Sequence, residues 1–319
     1  MDVRTIDVNT SNSLVKAFRV ASRASQIAEQ KGAQLQIEHS TLAGVGSLQG
    51  QSGYVLDMHD LAYSRFNVVD TVLAPALKWA TARLERRAVQ RAGHVIVVSE
   101  AMRDVLCGRW GVDTKRVSVV ANGYFPERVE PFLEAEPIEG RVAFLGTLHP
   151  KVDVESFRCI AELPEVSELV VIGDGALREE MEGIASSHEH VRYTGRLPDA
   201  DAFSLLAASQ VAVNPQTKSE LQRSSSPVKL YNYAALGLPM VVTPGPPIVS
   251  QLTAADAAMT ANTPEQFKGK VKTLMNDDPL RETISKHARD TATNFDWNRR
   301  VTSVNELYVQ LRSKGGCEP

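Results

Sequence analysis

Two places in this chain put reactive residue types where they could do chemistry. The first is the run Ser224-Ser225-Ser226-Pro227-Val228-Lys229-Leu230-Tyr231-Asn232-Tyr233-Ala234-Ala235-Leu236-Gly237-Leu238-Pro239, which reads as a helix with both ends marked. Ser226 suits the N-cap and Pro227 the first helical position. Gly237 suits the left-handed residue after the last turn, and Pro239 blocks continuation. The first-turn amides of such a helix lack an intrahelical acceptor and sit at the positive end of its dipole. With Lys229 beside them, the helix start suits a pyrophosphate. The same run is equally one more helix–strand unit, with Met240-Val241-Val242-Thr243 as its buried parallel strand.

The second place is the strand Gly53 to Asp60, which ends in Asp57, His59 and Asp60. Side chains alternate along a strand, so Asp57 and His59 point the same way if it continues. A histidine there either takes part in proton transfer and orients a hydroxyl, or caps the loop structurally. Further along, strand ends carry Gly146-Thr147-Leu148-His149-Pro150-Lys151, Gly173-Asp174-Gly175, Gly195-Arg196 and Asn214-Pro215. In open parallel sheets ligands bind outside the carboxyl ends of strands, and glycine lets them approach the backbone. Any one of these is ordinary turn chemistry; several in one sheet favour a phosphate-bearing ligand. Gly173-Asp174-Gly175 lacks the third glycine of a dinucleotide fingerprint, and no Walker loop occurs, which disfavours NAD binding and P-loop hydrolysis. Asp199-Ala200-Asp201 is better explained by capping and dipole complement at a helix start than by a metal. Arg83, Arg87 and Arg91 recur every four residues with Arg86 alongside; they form a solvated face or a patch for anionic lipid headgroups.

These residues need a scaffold of alternating strands and helices. The 319 residues are 43% apolar and 23% charged, with net charge −3 and a pI of about 6.2, which suits two globular domains and disfavours nucleic-acid binding. Cys107, Cys159 and Cys317 match no metal or disulfide spacing, and the N-terminus lacks the apolar core of a signal peptide. No apolar run approaches the roughly 20 residues of a membrane span. A cytoplasmic protein is expected, at most peripheral at the inner face of the membrane.

Helices are expected at 14–30, 72–92 and 100–108, the last capped by Ser99, with strands at 35–38, 53–60, 95–98 and 117–120. Asn122-Gly123 is expected to close a turn, and Pro126 to Gly140, with three prolines and five glutamates, to form a linker. Beyond it the α/β pattern restarts with strands at 142–146, 169–172, 191–195, 211–214 and 240–243. Intervening helices start at 154, 177 and 202, and later ones at Thr263-Pro264, Pro279 and Arg299. Four strands precede the linker, so the first domain is either reduced or truncated.

The second half resembles the donor-binding domain of retaining glycosyltransferases of the GT-B fold, the glycosyl transferases group 1 or family 4-like proteins. The resemblance rests on Val142-Ala143-Phe144-Leu145-Gly146-Thr147-Leu148, Leu169 to Arg178, Val191-Arg192-Tyr193-Thr194-Gly195-Arg196-Leu197-Pro198 and Pro227 to Pro239. The first half matches more weakly, through Asp57-Met58-His59-Asp60, Ala92 to Glu100 and Val119-Val120-Ala121-Asn122-Gly123. The fold this implies is α/β, with two Rossmann-like domains facing a cleft. Residues 1–130 would form the incomplete acceptor-side domain and 138–295 the nucleotide-sugar-binding domain; 296–319 would form a helix crossing back to the first.

The implied activity is metal-independent transfer of a hexose from a UDP- or GDP-sugar to a glycan or lipid-linked acceptor in polysaccharide biosynthesis, with retention and no cofactor. By the resemblance, Gly146, Thr147 and Lys151 lie near the phosphates, Gly195, Arg196 and Leu197 contact the base, and Val228, Lys229 and Leu230 hold the pyrophosphate. Gly173, Asp174, Ser226 and Pro227 complete the donor site, Asn232 meets the ribose, and His59 faces the sugar and acceptor; His59, Lys151 and Lys229 are the catalytic candidates. The family places glutamates where this chain has Ser224 and Asn232, and often an arginine where it has Thr147. The alternatives are a non-catalytic binding or partner protein of this fold, or a nucleotide-sugar epimerase.

Overall fold

The computed structural model describes residues 53–63, 73–217 and 220–313, together with Ile37–His39 and positions 23, 26 and 48. The expected helix at 14–30 therefore lies, apart from helical positions 23 and 26, outside the described residues. The chain divides into two compact units, Met1–Ala121 with Val301–Pro319, and Asn122–Arg300. The divisions fall at 121/122 and 300/301 rather than near 130 and 296.

The first unit contains β1 (Ile37–His39), β2 (Val55–Met58), α1 (Ala74–Arg91), β3 (His94–Val97), α2 (Glu100–Trp110) and β4 (Val117–Val119). Its strands pair in the order β1-β2-β3-β4, all parallel. Parallel pairing needs helical crossovers, which is why α1 and α2 separate these strands. Ser99 caps α2 by accepting from the Met102 amide, and Gly111 ends it in the left-handed conformation at φ 69°. Tyr54, Leu56 and Met58 pack with Val95, Val97, Met102 and Leu106 in the core of this unit.

The second unit contains α3 (Pro126–Val129), β5 (Ile138–Leu145), α4 (Val154–Ala161), β6 (Glu168–Ile172), α5 (Arg178–Ser187), β7 (Val191–Gly195), α6 (Asp199–Ala207) and β8 (Ser209–Asn214). It continues through α7 (Glu220–Ser224), α8 (Val228–Leu236), β9 (Met240–Val242), α9 (Pro247–Ala254), β10 (Met259–Thr260), α10 (Pro264–Asn276) and α11 (Asp278–Ala292). The last helix, α12 (Trp297–Ser313), begins here and passes the division at Arg300. The six strands lie in the order β10-β9-β8-β5-β6-β7, all parallel. The first strand of the unit, β5, thus sits between β6 and β8, and the order reverses there. That is a topological switch point, where a crevice opens beyond the carboxyl ends of the strands.

The expected linker is structured. Pro126–Val129 is helical, Val129 is buried, Phe132 packs its ring against Phe203, and β5 already starts at Ile138. Asn122-Gly123 closes no turn either. An added Cβ on Gly123 would overlap the Phe295 carbonyl, so glycine serves close packing at this point. Among the described residues no helix is long and apolar enough to cross a membrane.

Candidate functional site

The glycine loops after β5, β6 and β7 are stitched side by side by their backbones. The Gly146 amide donates to the Ile172 carbonyl at 2.9 Å, Gly173 to Gly195 at 2.8 Å and Leu148 to Asp174 at 3.1 Å. These approaches leave no room for side chains: an added Cβ on Gly173 would overlap the Gly146 carbonyl, and one on Gly175 the Leu148 carbonyl. The Asp174 carboxylate is already engaged by its own loop, β7 and the start of α5. It accepts from the Gly175 amide at 2.8 Å and the Tyr193 hydroxyl at 3.1 Å, and Arg178 lies 3.6 Å away. Those bonds, the Gly175 amide first, hold its carboxyl below the usual range.

Above this floor α8 begins. Its N-cap is Pro227, and no side chain caps it. The expected cap, Ser226, fails for a physical reason: its Oγ already accepts from the Asn122 amide at 3.0 Å and pairs with the Tyr231 hydroxyl at 2.7 Å. Leu230 donates to the Pro227 carbonyl at 3.1 Å, so the first-turn amides left over are those of Val228 and Lys229. Tyr233 anchors the helix to β5, its buried hydroxyl accepting from the Leu145 amide at 2.8 Å.

Lys229 is the electrostatic centre of the site. Its ammonium lies 3.9 Å from the Phe144 ring centroid, and an added Cβ on Gly146 would overlap it. Burial, and then repulsion from Lys151, push its pKa down to about 7. The cation–π contact offsets part of the burial penalty. A lysine poised at neutrality, beside a second lysine, two first-turn amides and the positive end of a helix dipole, is a receptor for an anion. The structure thus brings Gly146, Lys151, Gly173, Gly195, Val228 and Lys229 to one end of the sheet. Thr147 and Arg196 are exposed, while Leu197 packs against Val170, Ile172 and Ala202. Asn232 is half-buried one turn beyond Lys229, and Ser224 is buried. Phe144, Tyr231, Tyr233 and Asn122 were not among the site residues expected from the sequence. The two tyrosines could have been suspected, since buried hydroxyls must find partners.

Asp199 and Asp201 lie in the first turn of α6, with Asp199 3.3 Å from Arg128; no group of three His, Cys, Asp or Glu side chains among the described residues is placed to hold a metal. In the first unit, His59 Nε2 lies 3.4 Å from Asp57 Oδ2. That hydrogen bond raises the His59 pKa, against burial, which lowers it; the charges of Asp57 and Asp60 add to the rise. The stabilising pair is therefore fully present below the ordinary histidine pKa and is lost as pH rises through the elevated one. In Asp57→Asn the histidine should titrate at lower pH than in the native protein, read by NMR of the ring protons; an unchanged titration would show that Asp57 does not set it.

The sequence model of the family described as glycosyl transferases group 1 matches residues 115–277, about half of the chain, and that of the glycosyl transferase 4-like domain matches residues 2–123. The chain belongs to the glycosyl transferases of group 1. The chain is 25% identical over 199 residues to the 2-deoxystreptamine glucosyltransferase of Streptomyces kanamyceticus, covering 54% of this chain and 50% of the relative. It spans about half the length, or less, of the curated relatives it matches. Among solved structures, sucrose-phosphate synthase from Thermosynechococcus elongatus aligns with TM-score 0.79 at 16% identity, over 96% of this chain and 81% of that one. Anabaena HepE in complex with UDP-glucose aligns with TM-score 0.72 at 16% identity, over 96% and 86%. The fold is thus the α/β GT-B type.

Proposed function

We propose that this group 1 glycosyltransferase transfers a sugar from a UDP- or GDP-sugar to a glycan or lipid-linked acceptor, with retention of configuration and without a metal. The observation that carries the donor assignment is Lys229, held over Phe144 at the open start of α8 with its pKa lowered to about 7. Two amides, two lysines and a helix dipole can carry the charge of a departing nucleoside diphosphate, the work a divalent cation does elsewhere. That HepE was crystallised with UDP-glucose supports a nucleotide sugar as the ligand of this fold. Calorimetry with a panel of UDP- and GDP-sugars, followed by nucleotide release in the presence of acceptors, tests the reading. Binding of at least one donor with release on acceptor addition is expected, and binding of none would overturn it.

A second reading is favoured by Ser224 and Asn232. Ser224 is buried without a carboxylate, and Asn232 offers a neutral amide where the resemblance expects a charged grip on the ribose. A chain that binds a donor tightly yet releases no nucleotide with any acceptor would be a binding subunit. Conversion of the donor alone, seen by product analysis without acceptor, would mark an epimerase.

The lipid-linked class of acceptor draws support from α1. Leu73, Leu77 and Trp79 are 66%, 45% and 65% exposed, and the Arg83 guanidinium lies 5.4 Å over the Trp79 ring. Arg86 and Arg87 are exposed beside them, whereas Arg91 is half-buried and leaves the patch. Each arginine at an anionic surface contributes about 1 kcal/mol. Replacing Arg83, Arg86 and Arg87 by Gln should therefore weaken sedimentation with phosphatidylglycerol vesicles by about a hundredfold. Phosphatidylcholine vesicles should retain neither protein, and equal retention of both proteins by phosphatidylglycerol would remove the membrane role.

A further inference from the structure

Asn122 and the segment that leads from α11 into α12 have no part in the reading above, yet they hold the residue that precedes the anion site. Asn122 reaches Ser226 twice, through its backbone amide to Ser226 Oγ at 3.0 Å and through its side-chain amide to the Ser226 carbonyl at 2.7 Å. The same Ser226 Oγ meets the Tyr231 hydroxyl at 2.7 Å. Tyr231 is buried and stands perpendicular to the Phe295 ring at 5.2 Å, and the Arg300 guanidinium lies 5.4 Å over both rings. The residue after Asn122 is just as constrained, because Gly123 packs on the Phe295 carbonyl with no space for a Cβ. Tyr124 closes the arrangement, donating to Phe295 at 3.1 Å and accepting from Trp297 at 3.0 Å. Ser226 is therefore gripped through its carbonyl by one side chain and through its hydroxyl by two groups, each anchored in turn.

Only Pro227 separates Ser226 from the amides of Val228 and Lys229, and proline transmits orientation stiffly because its φ is fixed. We propose that Asn122 is a positioning residue for the donor pyrophosphate. By holding the Ser226 carbonyl, its side chain aims the Val228 and Lys229 amides and fixes where the Lys229 stem leaves the helix. The inference rests on the nucleotide-sugar reading of α8. It accounts for the open helix start, since the hydroxyl that would have capped α8 is used to seat it. A site that binds through fixed dipoles depends on such support, because each misdirected amide loses its contact.

The test is calorimetry of the native protein, Asn122→Ala and Asn122→Asp with UDP and GDP, plus inorganic pyrophosphate by competition against whichever nucleotide binds. Asn122→Asp keeps shape and backbone amide but presents oxygens, not a donor, to the Ser226 carbonyl. Both variants should bind the nucleotide about three- to tenfold more weakly, the worth of one neutral hydrogen bond. The loss should be the same for pyrophosphate, because the effect is confined to the phosphate-facing amides, and circular dichroism should match the native spectrum. If one variant fails to fold, the other decides. Native-like affinity in the variants overturns the inference and leaves the nucleotide-sugar reading standing. A loss larger for the nucleotide than for pyrophosphate also overturns it, since general loosening would reach the base contacts. If the native protein binds neither UDP nor GDP, the reading of the site falls and the inference falls with it.

Discussion

Replacing Lys229 by methionine is expected to lower kcat/KM for the donor by about 10²–10³-fold, because a desolvated, paired charge contributes roughly 3–4 kcal/mol where leaving-group charge develops. The same change should make the ligand-free protein more stable. Lys229 titrates at about 7 in the fold, against 10.5 for an ordinary lysine. Between those values the unfolded chain holds a proton that the folded chain has released, so this group's contribution to stability rises with pH across the window and is least favourable below pH 7. Removing the ammonium relieves that penalty, by about 2–4 kcal/mol at pH 6. Donor binding should show the opposite pH dependence. A pyrophosphate favours the charged lysine, so binding above pH 7 draws in a proton, and affinity should fall by up to about tenfold per pH unit. Calorimetry in buffers of different ionisation enthalpy measures that uptake directly. A pH-independent affinity in the native protein, or a methionine variant that binds donor as well as the native one, would remove Lys229 from the site.

The largest loss of stability is expected from Gly173→Ala. Gly173 sits at φ 130°, a conformation alanine resists, and its added methyl would meet the Gly146 carbonyl, which is backbone and cannot swing aside. Strain and overlap together should cost about 3 kcal/mol or more, read as a fall in the urea midpoint at unchanged slope. The control is Gly183→Ala on the exposed side of α5. An added Cβ there meets nothing within 4 Å, and the change should stabilise by about 0.5–1 kcal/mol. If the two substitutions act alike, the packing of the two glycine loops is not what sets the height of this barrier to substitution.

The second unit was readable because β6, β8 and β9 are buried on both faces and therefore stand in the sequence as short apolar runs bounded by turn residues. Val191 to Gly195 falls where expected, and the helices marked by Ser99 and Thr263 start where their hydroxyls accept from Met102 and Gln266. What failed were signals whose meaning depends on distant partners. Pro126 to Gly140 has a linker's composition, but Val129 is buried and Ile138 pairs with Ser209 ahead of a register shift in β5. Ser226 looks like a cap until its hydroxyl is found on Asn122, far back in the sequence. Asn122-Gly123 carries a turn signature, yet glycine is needed there for closeness to Phe295 rather than for a positive φ. In the site, Lys229 was legible from its place in the first turn. That Phe144 would lie beneath its ammonium, and that Tyr233 would hold Leu145, followed only from the crossing of α8 over β5.

The isolated bridge from Tyr124 to Asp296 gives the second unit a closed neck, with its entering and leaving segments side by side. The unit is in effect a long insertion between Ala121 and Val301, and the order of synthesis follows from that. The first unit emerges from the ribosome early but must wait for its last segment, Val301 onward, until every residue of the insertion has been made. Tyr308 belongs to that segment and titrates high, from burial and the charge of Asp57, a neighbour translated some 250 residues before it. The unit whose first residues are made early is thus the one whose last segment is made late.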